Sequence, residues 1–174
     1  MSFNYAQFGS AFLAMRLHCL RAAVTEQCDR AFAAFGVEIP SPCSSVALFL
    51  AERGEASIAE IARATGYSHQ LISQRLALLE SLSFCERIGS ATDKRKLRVQ
   101  LSRKGRAQVK KLEQALARLS DAVEGLNAEI GVDLGAAASA MQRALDASPL
   151  IERMTSKSVS APNAAAGKNR GRQE

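Results

Sequence analysis

The 174-residue sequence contains no tryptophan, and aromatic residues make up only 5% of it. Hydrophobic residues still reach 47%, and the chain is rich in alanine and leucine. This composition favours a mostly helical protein over a β-sandwich or a β-barrel. A chain of this length forms one domain, or two small ones that share a core.

Patterns for metal binding and catalysis are also missing. The four cysteines form no CxxC pair and no Cys/His cluster with zinc spacing; they are Cys19, Cys28, Cys43 and Cys85. The only histidines are His18 and His69, and the sequence shows no Ser/His/Asp set and no phosphate loop. We therefore predict no enzyme, no metal site and no cofactor, and we expect free, buried and inert thiols.

Targeting segments are absent as well. The first residues have no basic segment ahead of an apolar core, and no apolar run approaches the roughly 18 residues that cross a bilayer. We therefore expect a cytoplasmic protein with reduced thiols and no membrane partner.

A helix-turn-helix pattern begins at Ser57. The first helix, 57–65, starts with an S-x-x-E capping box that Glu60 completes, and Gly66 makes the tight turn after it. Ser68 is the predicted N-cap of a second helix, from 69 to about 82. An inward apolar stripe runs along this second helix, widened on both sides, and includes Ile72, Leu71, Leu76, Leu78, Leu79 and Leu82.

Two strands are predicted after the second helix, at 84–88 and 97–101, with a polar loop at 89–95 between them. This order predicts a winged helix-turn-helix, a fold that places one helix in the DNA major groove. The second helix has an outer face of short or polar side chains, namely His69, Gln70, Ser73, Gln74 and Ala77. Glutamine can pair with adenine and serine with several partners, although such a face could equally be solvated.

The wing and the segment after it are strongly basic. Between Arg87 and Lys111 there are ten basic residues and one acidic residue, so the local charge of +9 exceeds the +6 of the whole chain. Such an asymmetry indicates a nucleic-acid partner more strongly than the overall charge does. Arg103, Lys104 and Arg106 follow the predicted cap Ser102 and oppose the helix dipole, which fits a phosphate-facing role.

Long helices are predicted on both sides of this lobe. One spans Phe3 to Phe35, and Ser41 is expected to cap a short helix from Pro42 to about Glu52. Others span 102–126 and about 133–147, with a last short turn at 150–154. The first is apolar on more than one side, which favours burial against a second subunit over packing within its own domain.

We therefore expect a mainly α protein with a small β-hairpin wing: a winged helix-turn-helix lobe plus a helical dimerisation region. The predicted division is an N-terminal dimerisation helix at 1–37, the DNA-binding lobe at 41–104 and C-terminal dimerisation helices at 105–154. The remaining segment, 155–174, has almost no large apolar residues and is expected to be a disordered tail.

The sequence resembles the MarR family of transcription regulators over roughly residues 5–150. At the wing it carries that family's pattern of Asp-x-Arg, a valine in the next strand, Leu-Ser and a glycine, as Asp93-Lys94-Arg95, Val99, Leu101-Ser102 and Gly105. Upstream, the helix-turn-helix is similar at Ile61-Ala62, Gly66, Ser68, Ile72-Ser73 and Leu79-Glu80.

The resemblance implies a triangular homodimer with two winged lobes on DNA. It implies that Arg95 enters the minor groove, where the potential is strongly negative, and that Asp93 holds it by a wing salt bridge. Two residues depart from the family pattern. Ser83 stands where a glycine is usual, which suggests a different entry into the wing. Arg75 stands where an apolar residue is usual, and could contact a phosphate or form an internal ion pair.

The predicted function is that of a sequence-specific regulator, a dimeric repressor of a pseudo-palindromic operator in double-stranded DNA. The predicted DNA-binding residues are Ser68, His69, Gln70, Ser73, Gln74, Arg75, Lys94 and Arg95. The family implies release by a small aromatic effector, for which Met15, Arg16 and His18 are candidates by position. The alternatives are a non-specific nucleic-acid-binding or protein-docking module, and a thiol-based redox sensor that uses Cys19.

Overall fold

The computed structural model describes residues 5–89 and 98–156, with side chains from residue 8 onward. The chain divides into two compact units, Met1–Val123 and Glu124–Glu174. The first unit contains a three-stranded sheet and helices α1 to α4, with bounds α1 Leu13–Ala34, α2 Ser44–Arg53, α3 Ile58–Thr65 and α4 His69–Ser81. Helix α5, Arg103–Ile130, begins in this unit. The mainly helical fold with a small β wing is as predicted.

The predicted single helix from Phe3 to Phe35 is wrong at its start. Residues Tyr5–Phe12 form 3₁₀ turns, and within them Gly9 has a non-helical backbone with φ 55° and ψ −125°. Helix α1 begins at Leu13. Glycine reaches this conformation without the Cβ clash that other residues meet, so Gly9 interrupts a stripe that looked continuous in the sequence.

The predicted cap of the next helix is also wrong. Ser41–Cys43 form a 3₁₀ turn preceded by Pro40, and α2 starts only at Ser44. Ser41 does not cap it; its N–H donates to Asp29 Oδ1 at 2.7 Å and its hydroxyl to the Thr25 carbonyl at 3.4 Å. This residue therefore ties the turn to α1, a tertiary contact that local pattern does not predict.

The wing contains one strand more than the two predicted. Strand β1, Glu55–Ala56, pairs antiparallel with β3, Arg98–Leu101, and β3 pairs with β2, Cys85–Ile88, so the order is β1-β3-β2. Glu55 lies opposite Gln100 and Cys85 opposite Leu101. A two-residue strand has no readable alternation, which explains why the sequence did not reveal it.

The core of the first unit lies under α4. The predicted inward residues Ile72, Leu76 and Leu79 are fully buried and pack with Phe84 and other residues from α2, α3, β3 and α5. Leu78, predicted to widen this stripe, is instead 42% exposed. Because Ile72, Leu76 and Leu79 are buried, the helical repeat determines which residues of α4 point outward.

The start of α5 is built tightly against the wing. The predicted cap Ser102 accepts a hydrogen bond from Gly105 N–H at 3.0 Å and donates one to the Ser83 carbonyl at 2.7 Å. A Cβ at Gly105 would stand 1.9 Å from the carbonyl oxygen of Phe84. Only glycine fits this approach of helix to backbone, which gives a physical reason for the Leu-Ser-x-x-Gly pattern.

The second unit consists of the end of α5 with α6, Leu134–Ala147, and α7, Leu150–Thr155. Asp133 caps α6 by accepting a hydrogen bond from Ala136 N–H at 2.9 Å. No residue of α6 or α7 is buried, and the exposed side chains include Met141, Leu150, Ile151 and Met154. Within the described part of the chain, these apolar side chains are therefore exposed to solvent.

Candidate nucleic-acid interface

Helix α4 presents the polar face that the sequence predicted. Its N-cap Ser68 accepts a hydrogen bond from Leu71 N–H at 3.2 Å. The side chains on the face are all exposed: His69, Gln70, Ser73 and Gln74. The Ser73 hydroxyl donates to the His69 carbonyl at 2.8 Å, which leaves its oxygen as an acceptor toward solvent. The face therefore offers two amides, an imidazole and a hydroxyl at helical spacing, the groups that read base edges.

Arg75 does not belong to this face. Its guanidinium lies 4.0 Å from the centre of the Tyr67 ring, and its Nε and Nη1 atoms are buried without a hydrogen-bond partner. None of the ion pairs among the described residues involves it. The structure thus shows Arg75 stacked on Tyr67 and not in the predicted internal ion pair, whereas its phosphate contact stays a prediction.

The predicted wing contacts Asp93, Lys94 and Arg95 lie outside the described residues. What the structure shows is how the base of the wing is held. Arg87 on β2 donates from Nε to Glu80 Oε1 at 2.5 Å and from Nη2 to Glu80 Oε2 at 3.1 Å. These hydrogen bonds raise the pKa of Arg87. The two-point contact joins the strand that leads into the wing to the last turn of α4.

The other strand of the wing is held by Arg98. Its Nε lies 2.8 Å from Glu55 Oε1, its Nη1 lies 3.4 Å from Glu60 Oε2, and its Nη2 donates to the Glu55 carbonyl at 3.2 Å. Hydrogen bonds from the Ser57 backbone and hydroxyl, and then the charge of Arg98, lower the pKa of Glu60. Glu60 thus completes the predicted capping box of α3 and also binds β3, so strand and helix share one carboxylate.

The basic segment is more neutralised than its charge count indicates. Arg87 and Arg98 are paired with glutamates, and Lys104 lies 3.1 Å from Glu38 Oε2. Arg106 donates to the Leu101 carbonyl and Lys111 to the Gly36 carbonyl. A phosphate-facing role for the exposed Lys104 and Arg106 stays a prediction. Arg103 and Lys110 are exposed and form no ion pair with any described residue.

The thiols differ from one another. Cys43 and Cys85 are buried as expected, and burial raises the pKa of Cys85 to about 12 and also raises the pKa of Cys43. Cys28 is half-buried, and burial followed by the nearby Asp29 charge raises its pKa. Cys19 is exposed on α1, so the expectation of a buried thiol is wrong there. Cys19 is exposed because no other described segment of the chain covers it on α1.

Over residues 5–89 and 98–156, no group of three or more His, Cys, Asp or Glu side chains could hold a metal ion. Within the same residues, no helix combines the length and hydropathy that crossing a membrane requires.

Residues 38–96 match the model of the MarR family. The winged lobe is therefore similar to the MarR family. The matched segment contains α2, α3, α4 and the first part of the wing, which together form the exposed face and its supports. This match and the exposed polar face of α4 support a DNA-binding transcription regulator as the general function.

Solved structures of regulators share the fold. Heme-bound PefR from Streptococcus agalactiae is 17% identical, with 80% of this chain and 95% of that chain covered and a TM-score of 0.51. Reduced AbfR bound to DNA is 21% identical, with 67% of this chain and 80% of that chain covered and a TM-score of 0.51. A cysteine-to-serine mutant of MarR from E. coli in complex with operator DNA is 18% identical, with 79% of this chain and 97% of that chain covered and a TM-score of 0.51. At these identities the likeness establishes the fold. No curated protein sequence matches the chain significantly.

Proposed function

We propose that this protein is a dimeric repressor that binds a pseudo-palindromic operator and is released by a small-molecule effector. The observation that carries the proposal is the exposed polar face of α4, held in place by the buried residues beneath it and joined to the wing by the Arg87–Glu80 contact. Because α4 and the wing are anchored to each other, they can contact the major and the minor groove of one duplex at the same time.

The homodimer is supported by exposed apolar side chains. On α1, five of them are 38–52% exposed: Leu13, Met15, Leu17, Leu20 and Val24. In the second unit the apolar side chains of α6 and α7 are also exposed. Exposed apolar side chains of this kind favour a contact with another protein, and a second copy would supply the two-fold symmetry that a palindromic site requires.

On DNA, we propose that Gln70 and Gln74 contact base edges and that Ser68, His69 and Ser73 contact bases or phosphates near the helix start. Arg95 enters the minor groove beside the lobe, positioned by Asp93, while Lys94 contacts the phosphate backbone. Two copies of α4 separated by about 34 Å would read successive major grooves on one side of the duplex.

Selection of bound duplexes from a random library tests this function directly. The expected result is an enriched inverted repeat, with half-sites whose centres are about one helical turn apart. Binding that is equally strong for every sequence, with a steep salt dependence, would instead favour the non-specific module. The double variant Gln70→Ala, Gln74→Ala should keep the salt dependence and lose the preference for the selected bases.

Repression and its release need a separate measurement. A reporter placed downstream of the selected operator should be silenced by the protein and restored by an effector. Adding peroxide to the wild type and to Cys19→Ser in the same assay distinguishes a thiol switch, because Cys19 is the exposed one of the four thiols. If peroxide releases the wild type from the operator but does not release Cys19→Ser, oxidation of Cys19 takes the place of the small-molecule effector in the proposal.

A further inference from the structure

One stripe of α5 holds the linker that follows α1. The linker, residues 36–39, begins at Gly36 with a positive φ of 67°, and its Val37 and Ile39 side chains are buried. Lys111 contacts Gly36, whereas Gln108 and Lys104 contact Glu38, so the linker runs antiparallel to the start of α5. The three contacting side chains are spaced at i, i+4 and i+7 and therefore share one face of the helix.

Gln108 lies in the middle of this stripe. Its Oε1 accepts a hydrogen bond from the Glu38 backbone N–H at 2.9 Å, and its Nε2 donates to Glu38 Oε1 at 3.1 Å. Gln108 is only 4% exposed, and it is one of two polar residues that are buried in the described part of the chain. One amide thus binds both the backbone and the side chain of a single linker residue, which fixes the position of that residue on α5.

The core does not require an amide at this position. The nearby helix residues Gly105, Val109 and Leu112 are buried too, and an apolar side chain would fill the same place without the cost of desolvating an amide. A buried polar group whose hydrogen bonds are all made specifies one arrangement of the segments that it joins. The amide of Gln108 therefore indicates a requirement for one defined position of the linker, and not for burial alone.

The other two contacts of the stripe lie at the surface. Lys104 Nζ lies 3.1 Å from Glu38 Oε2, and both of these side chains are more than half exposed. Lys111 Nζ donates to the Gly36 carbonyl at 3.1 Å and is exposed as well. Exposed ion pairs contribute little to stability, because water screens the charges. Among the three side chains, Gln108 is consequently the one whose loss should release the linker most.

The linker joins two parts of the first unit that have different tasks. Helix α5 starts against the wing, because Ser102 donates to the Ser83 carbonyl and Gly105 lies against the Phe84 backbone. The stripe that holds the linker is therefore fixed to the winged lobe. Before the linker, α1 carries the exposed apolar side chains that are proposed to contact a second copy. The contacts of Glu38 thus connect the proposed dimer contact to the lobe that carries α4.

We propose that Gln108 is a positioning residue for operator recognition, and that its two hydrogen bonds to Glu38 determine which spacing of half-sites the dimer accepts. The inference rests on the proposed function, because spacing has a meaning only for two lobes on one duplex. When the linker is held, each lobe has one orientation relative to α1, so the two α4 helices reach major grooves at one separation. When it is released, the lobes take up several orientations, and ordering them on the operator costs conformational entropy.

Operators that differ only in the distance between half-sites test the proposal. Fluorescence anisotropy compares the selected operator with versions that carry one or two added base pairs between the half-sites. The ratio of the two Kd values measures the spacing preference. We expect Gln108→Leu to reduce the wild-type ratio about fivefold, because the apolar side chain remains buried but makes neither hydrogen bond. Gln114→Leu, at an exposed position of the same helix, is the matched control and should keep the wild-type ratio.

A second set of variants separates positioning from folding. Gln108→Glu places two carboxylates side by side and should lose the spacing preference as Gln108→Leu does. The double variant Glu38→Gln, Gln108→Glu exchanges the two side chains, so an amide again donates to a carboxylate and the backbone N–H of residue 38 keeps an acceptor. This double variant should regain most of the wild-type ratio. Thermal unfolding of each full-length variant shows whether it is folded.

Titration of a single half-site keeps this inference apart from the proposed function. The reading face is unchanged in Gln108→Leu, so its affinity for one half-site should equal that of the wild type. A folded Gln108→Leu that keeps the wild-type spacing ratio, or a folded double variant that does not regain it, would overturn the inference alone. Equal losses on the half-site and on the full operator would also overturn it, because they would reduce Gln108 to a support of the lobe. A wild type that binds every spacing alike would refute the dimeric operator function itself.

Discussion

At the residue scale, Ser83 shows what the wing requires of its entry. It has φ 62°, and among the described residues it is the only one besides glycine with a positive φ. Its N–H donates to the Glu80 carbonyl at 2.9 Å, and its carbonyl accepts from Ser102 Oγ. The backbone at Ser83 thus adopts the left-handed conformation that glycine favours. The entry into the wing therefore keeps the geometry of the usual glycine, and serine meets local strain there.

Ser83→Gly should raise the free energy of unfolding by about 0.5–1 kcal/mol, because glycine adopts this conformation without the Cβ penalty. Urea denaturation measures the change. Ser81→Gly, two residues earlier within α4, is the control and should lower stability by a similar amount. Destabilisation by both variants would show that Ser83 is unstrained.

Arg95→Ala should weaken operator binding by about 1–3 kcal/mol, because it removes the predicted minor-groove contact. Fluorescence anisotropy at one fixed salt concentration measures it. Lys94→Ala provides the comparison and should weaken selected and unrelated duplexes alike, as loss of a phosphate contact does. Unchanged operator affinity for Arg95→Ala would remove the wing from the recognition mechanism.

At the element scale, the contacts between secondary structures position the reading surfaces. Arg87–Glu80 joins β2 to α4, and Arg98 joins β3 to β1 and α3. These side chains are partly exposed, so such pairs contribute little to stability. Their importance lies in orientation, because a wing held at a set angle to α4 loses less freedom when both elements bind one duplex.

Glu80→Gln should therefore change stability by less than about 1 kcal/mol while it weakens operator binding by about 1 kcal/mol. The matched control is Glu86→Gln, since Glu86 contacts Gln100 within the sheet and does not reach α4. Chemical denaturation and operator titration on the same preparations measure the two quantities. Equal losses for both variants would contradict an orienting role for the Arg87–Glu80 contact.

The N-terminus of α3 should respond to acid. The pKa of Glu60 is lowered from 4.5 by hydrogen bonds from Ser57 and by Arg98, so the folded state binds its proton less readily than the unfolded state. The resulting stabilisation is present above pH 4.5 and is lost as the pH falls through the lowered pKa. Stability measured between pH 6 and pH 3 should fall less steeply for Glu60→Gln than for the wild type. Parallel curves would show that Glu60 has no such linkage.

At the scale of the whole molecule, the exposed apolar side chains predict association. The chain has a mass of 18.6 kDa, and sedimentation equilibrium should give twice that value for the wild type. Leu20→Glu places a charge among the exposed apolar residues of α1 and should yield a monomer that binds single half-sites weakly. Gln27→Glu, an exposed polar position on the same helix, should remain dimeric. A monomeric wild type would refute the homodimer.

The sequence by itself determined the order of the α-helices and of β2 and β3, and the outer face of α4. Capping at Ser57, Ser68 and Ser102 and the left-handed Gly66 depend on a few neighbouring residues, so local pattern was enough to predict them. The inward stripe of α4 follows from helical periodicity, and Ile72, Leu76 and Leu79 are buried as expected.

Only the tertiary structure decided which charges remain available and where Arg75 lies. The partners of Arg98, Lys104 and Lys111 are 38 to 75 residues away in the chain, and no local pattern encodes such pairs. Strand β1 exists because β3 lies beside it, and Arg75 is exposed only in part because its guanidinium stacks on the Tyr67 ring. Local propensity selects helices and turns, whereas the pairing of charges and the shape of a cavity depend on which distant segments the fold brings together.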